Sequence, residues 1–160
     1  MRKLIAALGM SAIAACAHAG GGKMTGVQQQ VRVEVKDGKV VVHMGVENGG
    51  KVAVYVAKAV FQDEQLFGRA FDITNLDSGV PVQYIGPMVK RGPLTAADFI
   101  AVKPGAKHSH AIDITRSYDF QPGQHNYQLT FAGNYLGSLA KLDAANPVAV
   151  VPVKFTFTGK

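Results

Sequence analysis

The sequence predicts an all-β protein, an antiparallel sandwich of about 7–9 short strands. Three observations predict it. Short runs rich in β-branched residues recur along the chain, and the cleanest, residues 31–35 (VRVEV), alternates strictly between apolar and polar. Turn signals punctuate these runs at regular spacing: Asp37-Gly38, Asn48-Gly49-Gly50, Asp77-Ser78-Gly79, Pro104-Gly105 and Gln121-Pro122-Gly123-Gln124. No stretch beyond the first residues carries a helical period long enough for a helix of several turns.

In order, residues 31–35 read as a half-buried strand with Val31, Val33 and Val35 inward and Arg32 and Glu34 outward. Asp37-Gly38 is a two-residue hairpin turn needing positive φ, and residues 39–46 (KVVVHMGV) return as a more buried strand. Residues 52–61 (VAVYVAKAVF) place Val52, Val54, Val56 and Val60 in period two, which favours a third strand over a helix despite the alanines. Residues 62–69 form a polar crossover and residues 71–76 a short strand. Residues 80–85 follow as a strand that Pro81, with no N–H for a ladder, confines to an edge or to a strand start. Thr95 opens at most one helical turn, residues 99–102 form a strand, and Pro104-Gly105 suits a type II turn. Residues 108–114 and 127–131 read as strands, residues 134–146 as a weakly helical stretch, and residues 148–157 as a strand in which Pro152 forces a bulge or a break.

The chain has 160 residues, 48% hydrophobic and 18% charged, which suits one packed domain and excludes a disordered chain. Its first residues read as a targeting segment: Arg2-Lys3 is a positive n-region, and residues 4–13 are an apolar h-region too short for a mature membrane span. Two cleavage sites compete. Ala17-His18-Ala19 suits ordinary signal peptidase, giving a signal peptide of residues 1–19. The run from Ile13 to Cys16 suits a lipobox, giving a signal of residues 1–15 and lipidation at Cys16. Either way the expectation is an exported protein, a periplasmic or outer-membrane lipoprotein or a secreted one, touching membrane only through that anchor. Residues 20–26 then form a linker and residues 27–160 a single domain. Cys16 is the only cysteine, so the core must hold the fold without an internal disulfide. The formal charge of +6 and pI near 9.5 fall on scattered residues. Without Arg2 and Lys3 the charge drops to +4, and no basic stripe interleaved with aromatics argues for nucleic acid.

Motifs of catalysis are missing from the sequence: it contains no HExxH, no G-x-S-x-G and no phosphate-binding glycine loop. His108-x-His110 is a weak metal candidate, since residues i and i+2 of a strand face the same way and His43 or His125 could add a third ligand. Two exposed histidines on an edge strand are the simpler reading, and no cofactor is expected. Tyr118-Asp119-Phe120, Pro122-Gly123 and Tyr127-x-Leu129-x-Phe131 form the corner-plus-strand pattern of Ig-like domains, in which a tyrosine hydroxyl anchors a corner on backbone. Lys90-Arg91 stands between Gly86-Pro87 and Gly92-Pro93, so a stiffened loop carries a basic tip that loses little entropy on docking. The same glycines and prolines would also serve a loop that merely crosses between strands.

The run from Pro81 to Pro93 (PVQYIGPMVKRGP), followed by Ala97-Asp98-Phe99, Lys103-Pro104-Gly105, Ile112-Asp113-Ile114 and Ser117-Tyr118-Asp119, resembles the N-terminal domain of deuterolysin-like (aspzincin) metalloendopeptidases, including the peptidyl-Lys group. The resemblance covers residues 27–131. It implies an Ig-like β-sandwich that acts as a propeptide, assisting folding and covering the active site. It would place the zinc-binding catalytic domain after Lys160. Residues 1–160 carry neither the HExxH helix nor the family's later Asp ligand, so the expectation is a non-catalytic molecule and not an enzyme. Its implied partner is a secreted or periplasmic metalloprotease, bound as inhibitor or folding chaperone, with Tyr84, Lys90 and Arg91 as the partner-binding residues. The alternative expectation is a cell-envelope structural or protein-interaction module with no protease partner.

Overall fold

The computed structural model describes residues 26–160, so the signal segment, Cys16 and the first six residues of the linker lie outside the described residues. Strands β1 (Val27–Lys36) and β2 (Lys39–Asn48) form a hairpin in full register, Val27 opposite Asn48 and Lys36 opposite Lys39. Its turn is the one the sequence demands: Asp37 has φ 52° and Gly38 φ 71°, the left-handed pair of a type I′ turn. β3 (Val54–Ala57) runs into a single helical turn, α1 (Lys58–Phe61). After β4 (Asp72–Asn75) a long loop leads to a 3-10 turn (Ala96–Asp98), then β5 (Phe99–Val102) and β6 (Lys107–Asp113). β7 (Gly123–Thr130), β8 (Gly133–Leu136), β9 (Ala145–Val148) and β10 (Val153–Gly159) complete the chain.

The ten strands make three antiparallel sheets, ordered β1-β2-β6, β10-β7-β4 and β5-β3-β8-β9. The fold is therefore the expected all-β antiparallel sandwich, with one more strand than the upper expectation. β2 lies between two partners, and its inner face of Val40, Val42, Met44 and Val46 is almost wholly buried. Each such side chain contributes about 1.5–3 kcal/mol by leaving water. Ile112, beside Val42 in the same sheet, and Val54, Val56, Ile73, Val102, Tyr127 and Leu129 from the other sheets share one buried cluster with them. Phe120 sits among Tyr118, Tyr127, Phe155 and Phe157, with ring centroids 5.1–6.3 Å away and three of the four contacts edge-on, a favoured aromatic geometry.

Four expectations need correction. The third strand stops at Ala57, because Val60 and Phe61 are both buried. Adjacent residues of a strand face opposite ways, whereas one helical turn turns both to the core. Residues 80–85 make no strand. Only two isolated bridges form there, Thr74 with Pro81 and Tyr84 with Tyr118, since Pro81 lacks an N–H and the segment touches a different neighbour at each end. Residues 134–146 hold two strand segments, β8 and β9, paired from Gly133 opposite Val148 to Leu136 opposite Ala145. The stretch has no clear period of its own, and tertiary pairing decided. Val35 is exposed, because the hairpin runs past the edge of the core beside its turn. Pro152 breaks the last run as expected, between β9 and β10.

A candidate docking loop

Tyr118 is the anchor from which the loop at residues 85–94 is built. Its buried hydroxyl accepts the Phe71 N–H at 3.0 Å and donates to the Phe71 carbonyl at 2.8 Å. The hydroxyl does anchor on backbone, but on Phe71, just before β4 and 47 residues upstream, and not on the few residues before it as in the tyrosine corner of Ig-like domains. Burial pushes the phenol pKa up to about 12, against the easing effect of the Phe71 backbone bond. Tyr84 stacks edge-on against this ring at 5.4 Å.

From there the loop base is stapled down. The Ile85 and Gly86 N–H groups both donate to the Ser117 carbonyl, at 2.9 and 3.2 Å. The Tyr84 hydroxyl reaches the Pro87 carbonyl at 2.8 Å and the Leu66 carbonyl at 3.1 Å. A Cβ at Gly86 would stand 2.7 Å from that hydroxyl, so only glycine lets the chain fold back over Tyr84. Farther out the Val89 N–H donates to the Phe67 carbonyl at 3.3 Å, and the Arg91 guanidinium lies 3.9 Å from the Asp63 carboxylate. Thr95 closes the far end. Its N–H and hydroxyl donate to Asp98 at 2.8 and 2.9 Å. These two bonds, with the Arg91 and Lys58 charges adding, hold the Asp98 carboxyl below the usual carboxylate range.

What remains free is the tip. Met88 is 81% exposed, Ile85 60%, Val89 54% and Leu94 52%, and both Lys90 and Arg91 are exposed. Lys90 enters no ion pair among the described residues, whereas Arg91 is drawn back toward Asp63. A groove of about 540 Å³ runs beside the tip, walled by Phe67, Val89 and Leu94, with Asp63, Arg91 and Asp98 as its charged groups. Of the three residues named from sequence, Lys90 and Arg91 thus share the tip, while Tyr84 sits at the base as a brace. Leu66, Phe67 and Asp63 escaped sequence reading. Their signal was the apolar pair Leu66-Phe67 inside an otherwise polar crossover.

The histidine pair does something else. His108 and His110 do face the same way, toward the end of α1, and there Nε2 of His108 donates to the Phe61 carbonyl at 2.6 Å and Nε2 of His110 to the Asp63 carbonyl at 2.8 Å. A carbonyl only accepts, so both Nε2 atoms carry protons and are not offering lone pairs to a metal. His43 pairs opposite Ala111, on the other face of the sheet, and bonds Glu34 at 2.9 Å. His125 lies in a separate sheet near Asp77. Strand parity keeps His43 from joining the pair, and His125 is engaged elsewhere, at the Pro122 carbonyl and Asp77. Among the described residues no group of three or more His, Cys, Asp or Glu could hold a metal ion. The pair clasps residues 61–63, the segment that carries the counter-charge of Arg91.

No protein-family model matches the chain, and no curated protein matches it.

Proposed function

We propose that this chain is an exported, non-catalytic docking domain that binds a peptidase as inhibitor or folding chaperone through the loop at residues 85–94. The observation that carries this reading is the loop's construction. Backbone and tyrosine bonds hold it at Ser117, Leu66 and Phe67, and the tip they present is apolar and basic with no acidic side chain between Val80 and Leu94. A braced loop loses little entropy on binding, so its contacts are converted into affinity rather than into ordering. Met88 and Val89 supply apolar area, and the adjacent cation supplies selection for an acidic pocket. The resemblance of the Pro81–Pro93 run to the aspzincin propeptide region suggests a zinc endopeptidase that prefers lysine.

The test mixes the domain, residues 26–160, with a Lys-preferring aspzincin endopeptidase and follows cleavage of a lysine-containing peptide alongside size-exclusion chromatography. The expected result is inhibition with a co-eluting complex. Lys90→Glu should weaken it by about tenfold or more, the size of reversing one well-placed interface charge. Undiminished cleavage with no complex would sink the reading.

A further inference from the structure

We infer that the Lys90–Arg91 peptide bond is a processing site, the first bond in residues 26–160 to be hydrolysed by a peptidase that draws a basic side chain into an acidic pocket, and that the nicked domain stays folded. The chemistry is ordinary hydrolysis. Water adds across the Lys90 C–N bond, leaving a carboxylate on Lys90 and an ammonium on Arg91.

Three observations single out this bond. Peptidases bind their substrates as extended strands, so the target backbone must be free of other partners. Residues 87–94 belong to no strand or helix, and within them the Val89 N–H makes the one backbone–backbone bond, a long one of 3.3 Å. Other exposed basic residues outside the strands are held in one way or another. The Asn48 side chain bonds both neighbours of Lys51, Gly50 and Val52, and Arg69 is paired with Asp72 at 2.6 Å. At Lys141 both backbone groups have partners, its N–H the Ser138 carbonyl at 3.4 Å and its carbonyl the Ala144 N–H at 3.2 Å, whereas Lys90 and Arg91 make no backbone–backbone bond among the described residues. Arg116 lies in the turn closed by Ser117 N–H to Ile114 at 2.9 Å, and Lys103 is followed by Pro104. Within the dibasic pair the structure also chooses. Lys90 is unpaired among the described residues, while Arg91 would have to leave Asp63. A cut after Arg91 would further place Pro93, which has no N–H, where the enzyme's backbone seeks a donor, whereas a cut after Lys90 places Gly92 there.

The nick does not separate the halves. β2 pairs with β6, β3 with β5 and β8, and β4 with β7, so each sheet is built from strands on both sides of Lys90. A hydrolysed molecule is therefore two interleaved fragments sharing one core. The consequence for docking rests on the proposed function: hydrolysis frees Lys90 from the brace at Arg91, so it ends presentation of the tip.

Limited digestion with trypsin, followed by intact-mass measurement, tests the site. The expected first cut in residues 26–160 is after Lys90, with both fragments co-eluting in size exclusion. Lys90→Gln should slow the first cut by more than about tenfold without changing the melting temperature, because the cut must then fall after Arg91, which is drawn to Asp63 and followed by Gly92-Pro93, or at a basic residue held in a strand or turn. Arg91→Gln should leave the cut at Lys90 in place. A first cut elsewhere, an unchanged rate in Lys90→Gln, or fragments that part on the column would overturn the inference. The nicked and intact forms are then compared against the lysine-preferring peptidase. An intact form that fails to bind defeats the docking reading alone, and equal binding by both forms defeats the switch.

Discussion

Tyr118 and Tyr127 are two buried tyrosines with opposite fates. The Tyr118 hydroxyl is fully used on the Phe71 backbone. Tyr118→Phe strands a buried N–H and carbonyl, so it should cost about 1–3 kcal/mol, read as a lower urea midpoint at pH 7. The pH dependence has a definite sign. The unfolded phenol releases its proton near pH 10 and the folded one near 12, so between these values the native state holds the extra proton. Stability from this group is complete below pH 10 and falls as pH rises to 12. The alkaline limb of the stability curve should be shallower in Tyr118→Phe. Tyr127 is completely buried, and its hydroxyl makes no hydrogen bond among the described residues. Removing an unsatisfied hydroxyl removes a desolvation cost, so Tyr127→Phe should leave the urea midpoint unchanged or raise it.

At the scale of elements, the β1–β2 hairpin was fully legible, because Asp37-Gly38 states its turn type and the flanking valines state their face. Gly38→Ala should cost about 1 kcal/mol in denaturant titration, since its φ of 71° is strained for any Cβ even though open space surrounds it. The Phe99–Val102 strand and the type II turn at Gly105, φ 72°, were legible for the same local reason. β8 and β9 were not. Nothing in Gly133–Leu136 announces a strand; Gly133 is there because a Cβ would meet the Val148 carbonyl at 2.8 Å and Val150 at 2.7 Å, a contact made by distant sequence. The loop tip was visible as Lys90-Arg91, yet its braces at Leu66, Phe67 and Ser117 are backbone carbonyls, which no side-chain pattern marks. The two histidines were found as a same-face pair, but their use was set by α1, whose turn the alternating valines concealed. Replacing both His108 and His110 by alanine should accelerate amide exchange across residues 58–66, with β1 and β2 unaffected.

Taken whole, the molecule is held by pairings between remote segments, β2 with β6 and β7 with β10 among them. Such topology closes long loops before it gains contacts, so refolding should be a millisecond-to-second process by stopped-flow. Asn48 lies where several of these segments meet. Completely buried, it donates through Nδ2 to the Val52 and Val102 carbonyls, both at 2.8 Å, and accepts the Gly50 N–H at 3.0 Å. Its main chain bonds Ala106 and Gly105. Asn48→Ala should cost on the order of 3 kcal/mol, because several buried backbone groups lose their partner together.

The same residue gives the fold a chemical memory. An asparagine followed by glycine is the pair most prone to deamidate, through attack of the glycine nitrogen on the side-chain amide. Here the Asn48 amide is engaged at both ends, and the Gly49 N–H is tied to the Gly26 carbonyl at 2.8 Å. The ring closure cannot begin until those bonds open together. Succinimide and aspartate accumulating at position 48 would therefore count the hours a molecule has spent open rather than its age, and a stored sample could be graded by that mark alone.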